Sequence, residues 1–124
     1  MLLFKEESYK IIGRCFSVHS NLGFGFHESV YHEALIKEFE SYQIPYKHEA
    51  KIEIEYKDEK LEKKYYADFC CYDKILLEIK ACAHINDEHI KQVLNYLAAT
   101  KLKLGIIINF GEKSLKFKRV ILDK

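Results

Sequence analysis

Three polar residues interrupt otherwise apolar sequence: Asp68 in Tyr66-Ala67-Asp68-Phe69-Cys70-Cys71, and Glu78 and Lys80 in Ile75-Leu76-Leu77-Glu78-Ile79-Lys80. The connector Tyr72-Asp73-Lys74 reads as a three-residue hairpin loop, which pairs Cys71 with Ile75 and sets Asp68 opposite Glu78. Cross-strand partners project to one face. One face is then Phe69, Cys71, Ile75, Leu77 and Ile79; the other is Asp68, Cys70, Leu76, Glu78 and Lys80. Two carboxylates within about 5 Å of each other repel, and something positive should join them. A divalent cation with hard oxygen ligands suits such a pair. The same residues also allow Lys80 to neutralise one acid in a buried ion pair, or a two-residue loop with a shifted register.

Two more residues could serve the same chemistry. Glu28 lies three residues before Tyr31 and seven before Leu35, on the inward stripe of a helix, although the helix dipole alone would favour an acid there. Gln92 lies one turn before Tyr96 on a later helix. Other chemistries lack their signatures. Cys15, Cys70, Cys71 and Cys82 form no C-x-x-C pair and read as buried free thiols. The histidines His19, His27, His32, His48, His84 and His89 are scattered, and no phosphate-cradling glycine loop or G-x-S-x-G elbow occurs.

The elements that must position these residues follow from periodicity. Residues 4–22 and 27–42 have helical spacing and are separated by Gly23-Phe24-Gly25, where glycine permits backbone that a β-carbon would forbid. Past Pro45 the period becomes two, with Ala50, Ile52, Ile54 and Tyr56 alternating with charge, and Lys57-Asp58-Glu59-Lys60 reads as a turn. Strands follow at 62–71 and 75–82. A helix spans 87–100, with Asn86 as N-cap and Ile85 and Ile90 as a staple across it. Residues 104–110 are apolar on both faces, as a buried strand should be. A last strand covers 115–122. The order α-α-β-β-β-α-β-β describes an α/β fold, a mixed β-sheet flanked by helices.

A chain of 124 residues, 48% hydrophobic and 31% charged, is one globular domain able to bury roughly two-thirds of its unfolded surface. The acidic opening and the lack of a long apolar run point to a soluble cytoplasmic protein with no membrane partner. A net charge of +1 excludes a strongly basic nucleic-acid coat, yet residues 101–124 carry +5 against −4 in the rest. A basic edge permits a polyanion partner.

Read together, these blocks resemble one family. Gly25-Phe26-His27-Glu28-Ser29-Val30-Tyr31 matches the signature of the GxxExxY protein family. Tyr66-Ala67-Asp68-Phe69, Leu77-Glu78-Ile79-Lys80-Ala81, His89 through Leu97, Gly105 through Gly111, and Lys118-Arg119-Val120 follow in the family's order. That family is placed in the PD-(D/E)XK superfamily, with a restriction-endonuclease-like core. The resemblance implies a nuclease acting on nucleic acid, with Mg2+ or Mn2+ held by Asp68, Glu78 and the backbone carbonyl of Ile79. It implies that Lys80 orients the attacking water or stabilises the pentavalent phosphate, that the helical acid Glu28 assists, and that Gln92 is an accessory polar group. Ala67 stands where the superfamily name has proline. A homodimer is compatible with so compact a chain. The competing readings are a catalytically silent nucleic-acid-binding module and a protein-interaction domain, for which exposed Phe24 and Phe26 would serve.

Overall fold

The computed structural model describes residues 2–123. Helices α1 (Lys5–Leu22) and α2 (Glu28–Ser41) precede strands β1 (Tyr46–Tyr56), β2 (Glu59–Cys71) and β3 (Ile75–Lys80). Helix α3 (Asp87–Thr100) follows, then β4 (Leu104–Asn109) and β5 (Lys116–Ile121). The element order is the one the periodicity predicts. The strands form one mixed sheet in the order β1-β2-β3-β4-β5. Only β3 and β4 run parallel, because α3 carries the chain back between them.

Each face of the sheet buries its own core. Ile11 and Cys15 of α1 and Tyr31, Leu35 and Phe39 of α2 pack on Phe69, Leu77, Ile79, Ile106 and Ile108. Val93, Tyr96 and Leu97 of α3 pack on Ile52, Leu76, Ile107 and Val120 across the opposite face. All six residues of β4 are buried, which explains why that segment is apolar on both sides. Gly105 lies directly beneath Val93, where a β-carbon would collide with the valine methyl.

Two features depart from the sequence reading. The first hairpin turns on Lys57-Asp58 alone, with φ of 49° and 66°, so Glu59 and Lys60 belong to β2. A two-residue turn with both central residues left-handed matches the twist of the flanking strands better than a longer loop. The second departure lies at Asp68. Ala67 belongs to the core beneath α3 and Phe69 to the core beneath α1 and α2, although residues two apart on a regular strand share a face. Opposite Asp68, Glu49 is left-handed (φ 52°), and the β1–β2 pairing is interrupted between His48↔Phe69 and Ala50↔Ala67. The hairpin rolls over at this level, and its outer half curls toward α3.

Candidate active site

Asp68 and Glu78 stand where the β2–β3 ladder ends. The ladder pairs Cys71↔Ile75, Cys70↔Leu76 and Phe69↔Leu77, the register of a three-residue loop. The next rung is replaced by side chains: the Asp68 N–H donates to Glu78 Oε2 at 2.6 Å, and the Ile79 N–H donates to Asp68 Oδ2 at 2.7 Å. Each acid thus accepts a backbone proton from the opposite strand, using one oxygen. Among the described residues no protein group bonds the second oxygens, Asp68 Oδ1 and Glu78 Oε1. No buried side-chain oxygen there lacks a partner either, so both second oxygens reach solvent.

Glu78 is only 4% exposed. Burial, and then the charge of Asp68, push its carboxyl up to about 8, against the opposing pull of the Asp68 N–H, Lys80 and His32. Lys80, next on the same side of β3, makes no ion pair among the described residues. The simple neutralisation that the sequence allowed is therefore not made.

Glu28 is the first residue of α2, and its position is set by the loop before it. Gly23 (φ 71°) and Gly25 (φ 112°) bend that loop, and Tyr31 fastens it. The Tyr31 hydroxyl donates to the Gly23 carbonyl at 2.7 Å and accepts from the Phe26 N–H at 3.3 Å, while its ring stacks on Phe110 at 4.4 Å. The glycine and tyrosine of the G-x-x-E-x-x-Y segment are structural, and they aim the glutamate between them. Glu28, His32, His48 and Asp68 line a common cavity of about 410 Å³.

His32 and His48 are the residues that sequence reasoning missed. His32 Nε2 lies 3.6 Å from Asp68 Oδ2, and its Nδ1 lies 2.9 Å from His48 Nε2. Burial works to lower the pKa of His32, but Asp68, Glu28 and Glu78 outweigh it and hold the imidazole above its ordinary value. The spacing of Glu28 and His32, one helical turn, was a usable signal. His48 gave none, since its place depends on the irregular β1–β2 pairing.

Lys80 and Gln92 line a neighbouring cleft of about 540 Å³ between the outer hairpin and α3, with Tyr65, His89, Asn95 and Tyr96. Burial lowers the pKa of His89, with Lys80 acting in the same sense and Glu28 opposing. The start of α3 is set by Asn86, whose side chain accepts from the His89 N–H at 3.1 Å while His89 Nδ1 accepts from the Asn86 N–H at 3.2 Å. Asn109, wholly buried, governs the exit of β3. Its Oδ1 accepts from the N–H groups of Cys82 and Gly111, each at 3.0 Å, and its Nδ2 donates to the Cys82 carbonyl at 3.0 Å and to Glu112 at 2.9 Å. A β-carbon on Gly111 would strike the Cys82 backbone. This clamp fixes the direction in which Lys80 leaves the sheet. Phe24 and Phe26, beside the glycine loop, are 54% and 46% exposed.

Such an arrangement, with paired acids and a lysine at the broken rung of a mixed sheet, is that of a nuclease-like fold. A sequence profile of the PD-(D/E)XK nuclease superfamily matches residues 5–120, and the chain belongs to that superfamily. No curated protein sequence matches it. Among solved structures it is similar in fold to that titled "Crystal structure of SSO0001", with 20% identity and a TM-score of 0.60 over 77% of this chain. The chain spans about half of that relative's length, 52%. Among the described residues no helix is long and apolar enough to cross a membrane.

The donor set fits a hard divalent cation. No group of three His, Cys, Asp or Glu side chains among the described residues is arranged to hold a metal. Mg2+, however, retains several waters and commonly takes only one or two carboxylates. Two carboxylate oxygens, free of protein bonds and open to solvent beside a buried acid, meet that requirement.

Proposed function

We propose that the chain is a Mg2+- or Mn2+-dependent phosphodiesterase acting on nucleic acid. The observation that carries the reading is Glu78: a buried acid set against Asp68, pushed up to about 8, and unpaired by Lys80. A structural role would be served better by an apolar residue or a complete ion pair, since a buried charge without compensation is costly. A group strongly perturbed by burial and a like charge, at the edge of a cleft, marks a functional site.

In this reading Asp68, Glu78 and the Ile79 carbonyl hold the cation. The bound ion supplies Lewis acidity and lowers the pKa of a coordinated water. Lys80 stands beside the acids and places its ammonium where negative charge develops on the phosphate. Glu28 adds an acid from the α2 side, and His32 orients the Asp68 carboxylate. Gln92 offers an amide to the substrate from α3. The segments that match the narrower GxxExxY pattern carry Glu28 and Tyr31, and the fixed loop before α2 is what that pattern requires.

The test is cleavage of plasmid and oligonucleotide substrates with Mg2+ or Mn2+. Asp68→Ala and Lys80→Ala should each abolish turnover. Activity equal to that of the parent in both variants rejects the assignment. The competing outcome of this test is a module that binds nucleic acid without cutting it. Binding that survives EDTA, with no cleavage in any divalent metal, selects it.

A further inference from the structure

The cleft beside Lys80 has features that phosphodiester chemistry does not use. Its hairpin wall is Tyr65, half-buried, with the ring 5.4 Å from that of Tyr96 at 44°. Tyr96 is nearly buried, so it backs Tyr65 and leaves the latter's ring as the cleft's aromatic surface. The α3 wall presents two amides, Gln92 and Asn95, three residues apart and on one helical face. Lys63 holds its ammonium over the Tyr65 ring, 5.4 Å from its centre. The one carboxylate in the lining, Glu88, is paired with Lys91 at 3.7 Å.

We infer that this cleft receives one unstacked nucleotide of a single-stranded nucleic acid, its base stacked on Tyr65 and its polar edge met by Gln92 and Asn95. The inference rests on the nuclease reading and names its substrate form. An aromatic face beside a lysine is the pairing by which single strands are held, since every base offers a π-face and every linkage a negative charge. Primary amides present both donor and acceptor, as an unpaired base edge does. In a duplex those faces are stacked and those edges are paired, so neither is available to the Tyr65 ring and the two amides of the cleft. The base displaces the Lys63 ammonium from the ring toward the adjoining phosphate. With Lys80 in the same lining, the linkage next to the bound nucleotide lies beside the paired acids.

The experiment is fluorescence anisotropy of the whole protein in EDTA, with labelled oligothymidylate, oligouridylate and a mixed-sequence duplex of equal length. Single strands should bind at least about tenfold more tightly than the duplex. Tyr65→Ala should lose roughly tenfold on single strands, in line with removing one stacked base, and change duplex binding little. Tyr65→Phe should restore the affinity, which a folding defect would not allow, and Lys63→Ala should flatten the salt dependence by about 0.7 in slope. Equal affinity for single strand and duplex, or parental binding by Tyr65→Ala, overturns the inference and leaves the nuclease reading standing if the parent still cleaves. Failure of the parent to bind any of the three probes overturns the inference, and failure to cleave in Mg2+ or Mn2+ as well overturns the nuclease reading with it.

Discussion

Two buried polar positions, on the neighbouring parallel strands β3 and β4, are treated in opposite ways. Asn109 has no exposure and every polar atom of its side chain is bonded, through four N–H contacts between 2.9 and 3.0 Å and the Cys82 thiol at 3.7 Å. Glu78 is nearly as buried, yet it is met by one N–H, a neighbouring acid and no ion pair. A fully satisfied buried network makes a core specific and rigid. A buried acid facing a like charge destabilises whatever holds it. The first position is structural because nothing remains for a ligand to do; the second is a site because a ligand remains to be supplied. The contrast separates clamp from reactive centre without reference to any relative.

The sharpest way to break this contrast is to remove both groups and compare signs. Asn109→Ala leaves the Cys82 and Gly111 backbone groups without their partners, and should cost about 3–5 kcal/mol in urea unfolding. It should take cleavage with it, because Lys80 is no longer aimed. Glu78→Gln should do the reverse to the fold while also abolishing cleavage. Folded Glu78 keeps its proton to higher pH than an unfolded glutamate. Its contribution is thus whole below about 4.5 and is lost as pH rises through about 8. The metal-free parent should lose stability across that window, and Glu78→Gln should not. A flat stability profile in the parent would erase the distinction drawn between the two positions.

A smaller effect sharpens it further. A cation at the paired acids lowers the pKa of Glu78, so binding Mg2+ or Mn2+ at pH 7 should release up to about one proton. Titration calorimetry in buffers of different ionisation enthalpy reads that proton directly, and Glu78→Gln should release none. The smallest expected effect concerns the loop before α2. Tyr31→Phe keeps the stacking on Phe110 and removes the bond to the Gly23 carbonyl, at a cost of about 1 kcal/mol in unfolding free energy. Its larger consequence should be a lower cleavage rate, through the loosened aim of Glu28.

Much of this was legible in the sequence, for local reasons. The Tyr72-Asp73-Lys74 loop fixed the hairpin register, since a slip by one residue would turn Phe69 and Leu77 out of their core. Asn86 before a helical stretch announced its cap. Asp68, Glu78 and Lys80 stood out because charge is rare inside strands so apolar. What was hidden depends on backbone torsions that side-chain type does not dictate. Nothing about Glu49 marks it as left-handed, yet its conformation accompanies the roll that brings His48 to His32. Asn109 looked like the end of a strand, because its bonds to Gly111 and Glu112 need a turn that its side-chain type does not announce, and its bonds to Cys82 come from a distant segment. Lys57 and Asp58 have side chains that suit many turns, and the choice of the two-residue form came from strand twist.

The roll of the first hairpin gives Asp68 an unusual mechanical post. One strand furnishes Ala67 to one hydrophobic compartment and Phe69 to the other, with the acid at the crossing. Anything that grips this carboxylate therefore braces two compartments at once. Amide protons on both sides of the crossing should slow their exchange with deuterium in concert when the acid is engaged, so that a local event is registered through the full thickness of the molecule.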